Sequence, residues 1–318
     1  MDLACFLACF WAGQARAMGP TTKETWMSSE SPHYVSVAAV THVGRVRENN
    51  EDAFVVADLT GGALLPDHSH ARFDVGERGV LLAVSDGMGG AQAGEVASAL
   101  VVETITREIA EAPLETPRDT TLTEAIQRAH EAVRVQGQRD QARMGATLTA
   151  VFVRAGRAYI AEVGDSRAYL LRAGRIAQLT HDQSMVQLLV DSGIMNPEDA
   201  SHSPMRNVIL QAMGHQHDLK VALGKMDLRD RDCIILCSDG LTGHVSDEEI
   251  KDVVLQAKRP EIAAEKLVEL ANQRGGKDNI TVIVAGVGGA LAPPAADEKP
   301  EDAVEVIKAY EAKPPGPG

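Results

Sequence analysis

Three β-prone runs follow one another closely in residues 146–174, which read ATLTAVFVRAGRAYIAEVGDSRAYLLRAG. We predict strands over Ala146–Arg154, Arg157–Val163 and Ser166–Arg172, because each run is short and rich in apolar and β-branched side chains. Only Ala155-Gly156 separates the first two runs, and a two-residue connection that contains glycine is typical of a β-hairpin. Neighbouring strands joined in this way pair antiparallel, which favours an α+β fold over the strict β-α-β alternation of a doubly wound sheet.

The sequence on either side adds further strands and pairs of helices. The other predicted strands are Val35–Thr41, Ala53–Val56, Val80–Ser85, Cys233–Ser238 and Ile280–Ala285. Apolar residues at helical spacing predict helices over Gly94–Ala112, Leu122–Val135, Met185–Ser192, Asp247–Gln256 and Glu261–Asn272. Because the helices come in pairs, we expect them to cover the outer faces of the sheets. The stretch Leu59–Gly79, with His68 and His70, is expected to form an irregular solvated loop or an elongated hairpin.

The composition excludes several classes of partner. Hydrophobic residues make up 44% of the 318 residues and charged residues 24%, as in ordinary globular proteins. Lys and Arg number 31 against 45 Asp and Glu, which gives a formal net charge of -14. We therefore expect no nucleic-acid and no membrane partner, since both phosphate backbones and anionic membranes attract basic surfaces. No apolar run reaches the roughly 20 residues that a membrane span needs, and we expect a cytoplasmic protein.

The two ends of the chain differ in composition from the rest. Residues 1–33 include the apolar stretch Leu3–Trp11, which looks like the core of a signal peptide but lacks a preceding basic segment. We therefore expect a poorly ordered N-terminal tail, one folded domain over residues 34–288, and a second tail over residues 289–318. The second tail is rich in Pro, Ala and charge, so we predict that it is disordered or forms one short exposed helix over Ala303–Glu311.

The four cysteines form two pairs with i, i+4 spacing, Cys5/Cys9 and Cys233/Cys237. A zinc site more often shows Cys-x-x-Cys, so we expect no zinc and no disulfide framework here. Cys233 and Cys237 flank an apolar run and are expected to pack as small hydrophobic residues on one face of a strand.

Carboxylates stand at the ends of the predicted strands, and some are followed by glycine. They are Glu51-Asp52, Asp86-Gly87, Asp165, Asp239-Gly240 and Asp278. Buried strands would deliver these carboxylates to one end of a sheet, where they must be protonated or paired with cations. Carboxylate and carbonyl oxygens suit hard cations such as Mg²⁺ and Mn²⁺. A single Asp-Gly is most often only a turn, but the repetition at strand ends favours a metal centre.

Other catalytic and phosphate-binding motifs are absent. The segment 87–94 follows a strand and opens a helix, but the G-x-G-x-x-G spacing fails because position 92 is Gln. The sequence contains neither a Walker loop nor a G-x-S-x-G elbow. Neither a dinucleotide-binding loop nor a serine-hydrolase site is therefore predicted.

A series of segments resembles the metal-dependent protein serine/threonine phosphatases (type 2C, or PPM, family) in their bacterial form. In the family's order, the segments are THVGRVRENNEDAF, AVSDGMGGAQAGEVAS, MGATLTAVFV, AYIAEVGDSRAYLLRAGRIAQLTHDQS, RNVILQAMG, IILCSDGLTGHVS and GGKDNITVIV. They span about Val35–Val287 and are specific when taken together. The resemblance implies a central sandwich of two antiparallel β-sheets, flanked on both faces by antiparallel helices in α-β-β-α layers. It also implies two Mn²⁺ or Mg²⁺ ions, with a third in some members, at one end of the sandwich.

The resemblance also implies roles for particular residues. Those at the family's metal-ligand positions are Asp52, Asp86, Gly87 (through its backbone carbonyl), Asp239 and Asp278. Glu51 matches an acidic position that supports a metal-bound water, and Asp165, together with Asp239, matches the site of a third, weaker metal. Arg47 matches the arginine that grips the substrate phosphate. The implied reaction is attack of a metal-bridging hydroxide on phosphorus, which needs no nucleophilic Cys or Ser.

Departures from the family pattern lie mainly in a flap segment, Asp182–Met213. Gln183 stands where the family usually has His, and Gln211 stands where Arg is usual. Outside the flap, Met88 replaces a His that is proposed as general acid in many eukaryotic members, which leaves the proton donor unassigned. We expect these changes to affect substrate choice and to leave the metal cluster intact.

The resemblance implies a monomeric enzyme that removes phosphate from phosphoserine and phosphothreonine in proteins. Its substrates are expected to be phosphorylated proteins, including a Hanks-type bacterial Ser/Thr kinase. The alternative is a catalytically weak regulatory or binding module on the same fold, although the expected residue types fill every metal-ligand position. A structural cation-binding protein is a third reading, and it leaves Arg47 unexplained. The substrate protein and the choice between Mn²⁺ and Mg²⁺ stay open.

Overall fold

Two antiparallel sheets form the centre of the computed structural model, which describes residues 33–89, 93–200, 203–215 and 217–312. The strands are β1 (Tyr34–His42), β2 (Asp52–Asp58), β3 (Ala63–Leu64), β4 (Ser69–Asp74), β5 (Val80–Met88), β6 (Gly145–Ala146), β7 (Leu148–Arg154), β8 (Arg157–Val163), β9 (Arg167–Arg172), β10 (Arg175–Gln178), β11 (Ala222–Asp227), β12 (Cys233–Cys237), β13 (Ile280–Gly288) and β14 (Glu305–Lys308). The helices are α1 (Ala93–Glu111), α2 (Arg118–Asp140), α3 (Met185–Asp191), α4 (Pro197–Ala200), α5 (Asp239–Thr242), α6 (Asp247–Ala257) and α7 (Pro260–Gln273), with a 3₁₀ turn at Pro300–Asp302.

The sheets are stacked with helices on both outer faces. One sheet has the order β10-β9-β12-β13-β1-β4, and the other has the order β14-β11-β8-β7-β5-β2-β3, with β6 paired to β5. Alternate residues of the strands supply different hydrophobic layers, because successive side chains point to opposite faces of a sheet. Leu82 and Leu236 lie between the sheets, Leu81 packs with Ile105 of α1, and Ile235 packs in the layer of α6 and α7. The predicted α-β-β-α sandwich is confirmed.

The stretch that predicted the fold forms β7, β8 and β9. Ala155 (φ 50°) and Gly156 (φ 74°) make the tight turn between β7 and β8, with the positive φ values that suit the twist of a hairpin. The next connection differs from a hairpin. Gly164 (φ 103°) leads the chain from β8 in the eight-stranded sheet to β9 in the six-stranded one. This crossing brings Asp165 to the end of the sandwich.

The stretch Leu59–Gly79, which is expected to form an irregular loop or an elongated hairpin, contains a strand, β4, that was not predicted from the sequence. Strands β2 and β3, which precede it, belong to the eight-stranded sheet, whereas β4 pairs with β1 at the edge of the six-stranded sheet. Ala71 and Phe73 pack on the layer between the sheets while the intervening residues are more exposed, which is the period of two that a strand requires. His70 therefore lies on a strand rather than in a loop, and His68 lies in the preceding turn with φ 51°.

The C-terminal segment up to residue 312 was expected to be disordered or helical, but it contains a strand and packs on the fold. The helix predicted over Ala303–Glu311 is wrong, because Glu305–Lys308 forms β14 on the edge of β11. Ala303 and Val304 pack against the layer between the sheets, and Glu298 accepts hydrogen bonds from Arg172 and Arg229. Composition alone misses these contacts because they are made by a few isolated residues.

Other expectations are borne out or lie outside the described residues. Cys233 and Cys237 are free thiols on one face of β12, and burial raises the pKa of each to about 12. The expectations for the N-terminal tail and for Cys5 and Cys9 concern residues outside the described ranges. Within those ranges, none of the helices has the length and apolarity to cross a bilayer.

Candidate active site

The predicted carboxylates meet at one end of the sandwich, around a cleft of about 470 Å³. Of the residues singled out from the sequence, those that line the cleft are Arg47, Glu51, Asp86, Gly87, Met88, Asp165, Asp239 and Asp278. Asp52 is buried, and its backbone lies directly opposite Asp86 in the pairing of β2 with β5. Strand ends of both sheets supply the site, since Asp239 follows β12 and Asp278 precedes β13.

Asp86 is held in place by Thr147, which lies just before β7. The Asp86 N–H donates to Thr147 Oγ1 at 2.9 Å, and the Thr147 N–H donates to the Asp86 carbonyl at 2.8 Å. Ser166 contacts the same hydroxyl at 2.8 Å and ties it to the crossing between the sheets. Burial, followed by the nearby charges of Asp52 and Asp239, raises the pKa of Asp86 well above its ordinary range.

Asp52 has one satisfied and one unsatisfied carboxylate oxygen. Its Oδ2 accepts hydrogen bonds from Ser238 Oγ and Thr281 Oγ1, both at 2.7 Å. Its Oδ1 is buried and has no hydrogen-bond partner among the described residues, and the same holds for Oδ1 of Asp239. Burial raises the pKa of Asp52 to about 7 and that of Asp239 to about 6. Buried carboxylate oxygens without partners are costly, so these two atoms fit a site that takes up cations.

Gly87 is fixed at the centre of the site by close backbone contacts. Its N–H donates to the carbonyl of Glu51 at 3.0 Å. A Cβ on this residue would lie 2.1 Å from the carbonyl oxygen of Gly94 and 2.6 Å from that of Glu51. Only glycine therefore allows β5, the start of β2 and the start of α1 to approach this closely.

Arg47 lies at the rim of the cleft, with 48% of its side chain exposed. Its Nη2 donates to Asp278 Oδ2 at 2.8 Å, and this hydrogen bond raises the pKa of Arg47. The loop that carries Arg47 is held by Asn279, whose Nδ2 donates to the carbonyls of Val43 and Asn49 at 2.9 Å each. The guanidinium is thus cationic, partly free and placed beside the carboxylates.

Glu51 and Asp165 also line the cleft. Burial raises the pKa of both groups, while the charge of Arg47 opposes the rise at Glu51. The negative charge of Asp239 raises the pKa of Asp165 further. The structure therefore brings both residues to the same cleft as the other predicted site residues.

The donor set suits a hard cation that also uses main-chain oxygens or water. In the part of the chain that the structure describes, no three His, Cys, Asp or Glu side chains converge closely enough to form a complete ion cage. Mg²⁺ keeps several waters and usually takes only one or two protein carboxylates directly. The carboxylates and the Gly87 carbonyl position fit this mode of binding.

Sequence reasoning missed the residues that support the site. They are Thr147, Ser166, Ser238, Asn279 and Thr281. Ser166, Ser238 and Asn279 adjoin predicted aspartates in sequence, which is the one signal that could have indicated them. The roles of Thr147 and Thr281 depend on strand register and could not have been predicted in the same way.

Comparison with known proteins agrees with the resemblance noted in the sequence. A sequence model of the protein phosphatase 2C family matches residues 57–272. The chain is 38% identical over 257 residues to the serine/threonine protein phosphatase PstP of Mycobacterium tuberculosis, covering 79% of this chain and 44% of that protein. It is 33% identical over 250 residues to the serine/threonine phosphatase stp of Listeria welshimeri, covering 76% of this chain and 91% of that protein.

A solved structure shows the same architecture. The catalytic domain of the serine/threonine protein phosphatase PstP, crystallised in complex with two manganese ions, superposes with a TM-score of 0.68 at 35% identity. The alignment covers 80% of this chain and 99% of that domain. The chain spans less than half the length of the full PstP protein and nearly all of its catalytic domain. On the family match, the relatives and the shared fold, this chain belongs to the protein phosphatase 2C family.

Proposed function

We propose that this chain hydrolyses phosphoserine and phosphothreonine in proteins with the help of two divalent cations, Mn²⁺ or Mg²⁺. The observation that carries the proposal is the cleft itself. Carboxylates from both sheets lie beside a partly exposed arginine, and two of them have a buried oxygen that none of the described residues hydrogen-bonds. Such a cleft has the charges to hold cations and to bind a phosphoryl group.

The proposed cation ligands are Asp52, Asp86, the Gly87 carbonyl, Asp239 and Asp278. Glu51 would support a water molecule at the same centre. A third cation would bind between Asp165 and Asp239. The unpartnered Oδ1 atoms of Asp52 and Asp239 support this assignment, because a cation would remove the cost of burying them. Bound divalent cations would make an activated water available near neutral pH and offset the charge of the phosphoryl oxygens.

The chain's own residues would bind and orient the substrate. The Arg47 guanidinium can donate two parallel hydrogen bonds to phosphate oxygens, a contact that fixes both position and orientation. This group donates a hydrogen bond to Asp278 at 2.8 Å, so it is directed toward the carboxylates. Asn207 and Ile209 of the flap also line the cleft and would contact the residues around the phosphate.

The relatives support a role in reversible protein phosphorylation. PstP and stp are named serine/threonine phosphatases, and we extend that activity to this chain. We further propose that it acts in the cytoplasm as a monomer and opposes a Ser/Thr kinase.

The test is hydrolysis of p-nitrophenyl phosphate and of a phosphothreonine peptide, measured with Mn²⁺, with Mg²⁺ and with EDTA. We expect activity that requires a divalent cation and is lost in Asp86→Asn. The matched control is Asp297→Asn, which alters an exposed carboxylate outside the cleft and should leave the rates unchanged. A folded wild-type protein that binds Mn²⁺ in calorimetry but hydrolyses neither substrate would contradict the proposal and favour a regulatory module.

A further inference from the structure

The flap, Asp182–Met213, is anchored to the sheets through residues near its two ends. Helices α3 and α4 within it contain no buried residue, and Ile194 is 74% exposed. Near the ends, residues 183–185 and 208–211 run side by side, and we call them the neck. Within the neck, the Met185 N–H donates to the Val208 carbonyl and the Leu210 N–H donates to the Gln183 carbonyl, both at 2.7 Å.

Gln183 connects the neck to the crossing between the sheets. It is 1% exposed, and its N–H donates to the carbonyl of Gly164 at 2.8 Å. Its side-chain Oε1 accepts a hydrogen bond from the Gly164 N–H at 3.0 Å, and its Nε2 donates to the Glu162 carbonyl at 3.2 Å. One glutamine thus binds the backbone on both sides of Val163, immediately before Asp165.

Gln211 connects the other strand of the neck to the same point. It is 3% exposed, and its side chain forms hydrogen bonds with both the N–H (2.8 Å) and the carbonyl (2.6 Å) of Lys220. Its Nε2 also donates to Gln183 Oε1 at 2.9 Å. Gln183 Oε1 therefore accepts one hydrogen bond from the second end of the flap and one from Gly164.

We propose that Gln183 and Gln211 form an amide clasp, a pair of positioning residues that couples the placement of the flap to the backbone that carries Asp165. The clasp requires a group that accepts and a group that donates in the same buried space, which two amides provide. These are also two positions at which this sequence departs from the pattern of the family it resembles, and the departures contact each other. The functional part of the inference rests on the proposed phosphatase activity.

The clasp acts on substrate binding through two cleft residues. Asn207 immediately precedes the neck, and Ile209 lies within it, paired with Ser184. Because the outer flap has no buried residue of its own in α3 or α4, the neck fixes where these two side chains lie over the cleft. A protein or peptide substrate extends beyond the phosphate and reaches the flap, whereas p-nitrophenyl phosphate does not.

The structural test is amide hydrogen exchange in Gln211→Leu. This change removes the donor to Gln183, so the amide that accepts from the Gly164 N–H is then held only by its own hydrogen bond to the Glu162 carbonyl. We expect exchange at Gly164 and Leu210 to accelerate by about tenfold, the equivalent of one lost hydrogen bond. The matched control is Gln127→Leu, which removes a partly buried amide donor to the carbonyl of Leu219, next to Lys220, without touching the clasp. Equal exchange at Gly164 in the wild type and in Gln211→Leu would overturn the proposal.

The functional test is a double-mutant cycle of Gln183→Leu, Gln211→Leu and the double variant. We expect each single change to raise KM for a phosphothreonine peptide by about tenfold, while kcat for p-nitrophenyl phosphate stays within about twofold. The double variant should be no worse than the more severe single one, because both remove the same coupling. Additive losses, or an equal loss on both substrates, would overturn the clasp. A wild type without phosphatase activity would contradict the proposed function, and the exchange test would still decide the clasp.

Discussion

Asp52 and Asp86 lie directly opposite each other as cross-strand partners, Asp52 at the first residue of β2 and Asp86 near the end of β5. Side chains of directly opposed residues project from the same face of a sheet, and like charges placed there repel each other. Asp52 is buried and Asp86 is half-buried, which strengthens the repulsion because water screens it less than at an open surface. The stability of this end of the sandwich therefore depends on protons or cations.

The first prediction concerns the metal-free protein. Because the folded pKa of Asp52 is about 7, above its ordinary 3.8, its contribution to stability is fully present below about pH 4 and is lost as the pH rises through 7. In EDTA at pH 8, Asp52→Asn should raise the melting temperature by roughly 2–5 °C, and at pH 4 the two proteins should melt close together. With excess Mn²⁺ at pH 8 the wild type should instead melt at a higher temperature than Asp52→Asn. A wild type that melts above the variant in EDTA at pH 8 would contradict the predicted electrostatic cost.

The second prediction concerns the close contact at Gly87. Gly87→Ala places a Cβ 2.1 Å from the Gly94 carbonyl oxygen, so the backbone must move apart. We expect a loss of about 1–3 kcal/mol in the free energy of unfolding together with loss of metal-dependent hydrolysis. The control is Gly286→Ala in β13, where the nearest atom to an added Cβ is 3.8 Å away. Denaturant unfolding of both variants measures the difference, and equal stabilities would show that the contact at Gly87 is easily relieved.

The third prediction concerns Arg47. Arg47→Ala should lower kcat/KM for a phosphothreonine peptide by about 10- to 100-fold, because a charge-assisted contact to the phosphate is lost. Arg47→Lys should recover part of this loss, since lysine keeps the charge but cannot form the bidentate contact. Arg128→Ala, which removes an exposed arginine paired with Glu108 outside the cleft, should leave the rate unchanged. If Arg47→Ala behaves like Arg128→Ala in steady-state kinetics, Arg47 does not bind the phosphate.

The fourth prediction concerns the C-terminal segment. Arg172 and Asp232 form a fully buried ion pair, and Arg172 and Arg229 both donate to Glu298. Glu298→Ala should destabilise the fold by about 1–3 kcal/mol, because part of a buried positive charge loses its partner. The neighbouring and exposed Asp297→Ala is the control.

The contribution of Glu298 to the free energy of unfolding should depend on pH. Burial opposes ionisation of Glu298, but the hydrogen bond from the Ala295 N–H and the two arginines outweigh it and lower its pKa. The contribution to stability is therefore present above the ordinary pKa of a glutamate and is lost as the pH falls through the lowered value. Denaturant unfolding at pH 7 and pH 4 should show a larger gap between wild type and Glu298→Ala at pH 7. A gap that grows toward pH 4 would show that the interaction is not ionic.

The parts of the fold that were predicted from the sequence are those with strong local signals. The Ala155-Gly156 turn, the buried run before Asp86 and the helical spacing in α1 each depend on a few adjacent residues. Strands β4 and β14 were missed because each is only partly apolar and pairs with a strand that is distant in sequence. Local patterns do not contain such pairings.

For the candidate site, the charged residues could be predicted from the sequence, but the hydrogen bonds that support them could not. Repeated aspartates at strand ends indicated a cation site, and resemblance to a family indicated which residue does what. The supporting hydrogen bonds of Thr147 and Thr281 follow from strand register, and the contact between Gln183 and Gln211 joins positions 28 residues apart. These contacts could only be found once the fold was known.

The carboxylates of the cleft come from both sheets, Asp86 from one and Asp239 and Asp278 from strand ends of the other. Their spacing is therefore set by the hydrophobic layer between the sheets, including Leu82 and Leu236. A substitution in that layer that keeps the fold stable but shifts one sheet against the other would change the spacing of the carboxylates. Such a variant would pass a screen for stability alone and still lose the proposed activity. We therefore expect selection to tolerate fewer substitutions in this layer than stability alone would allow.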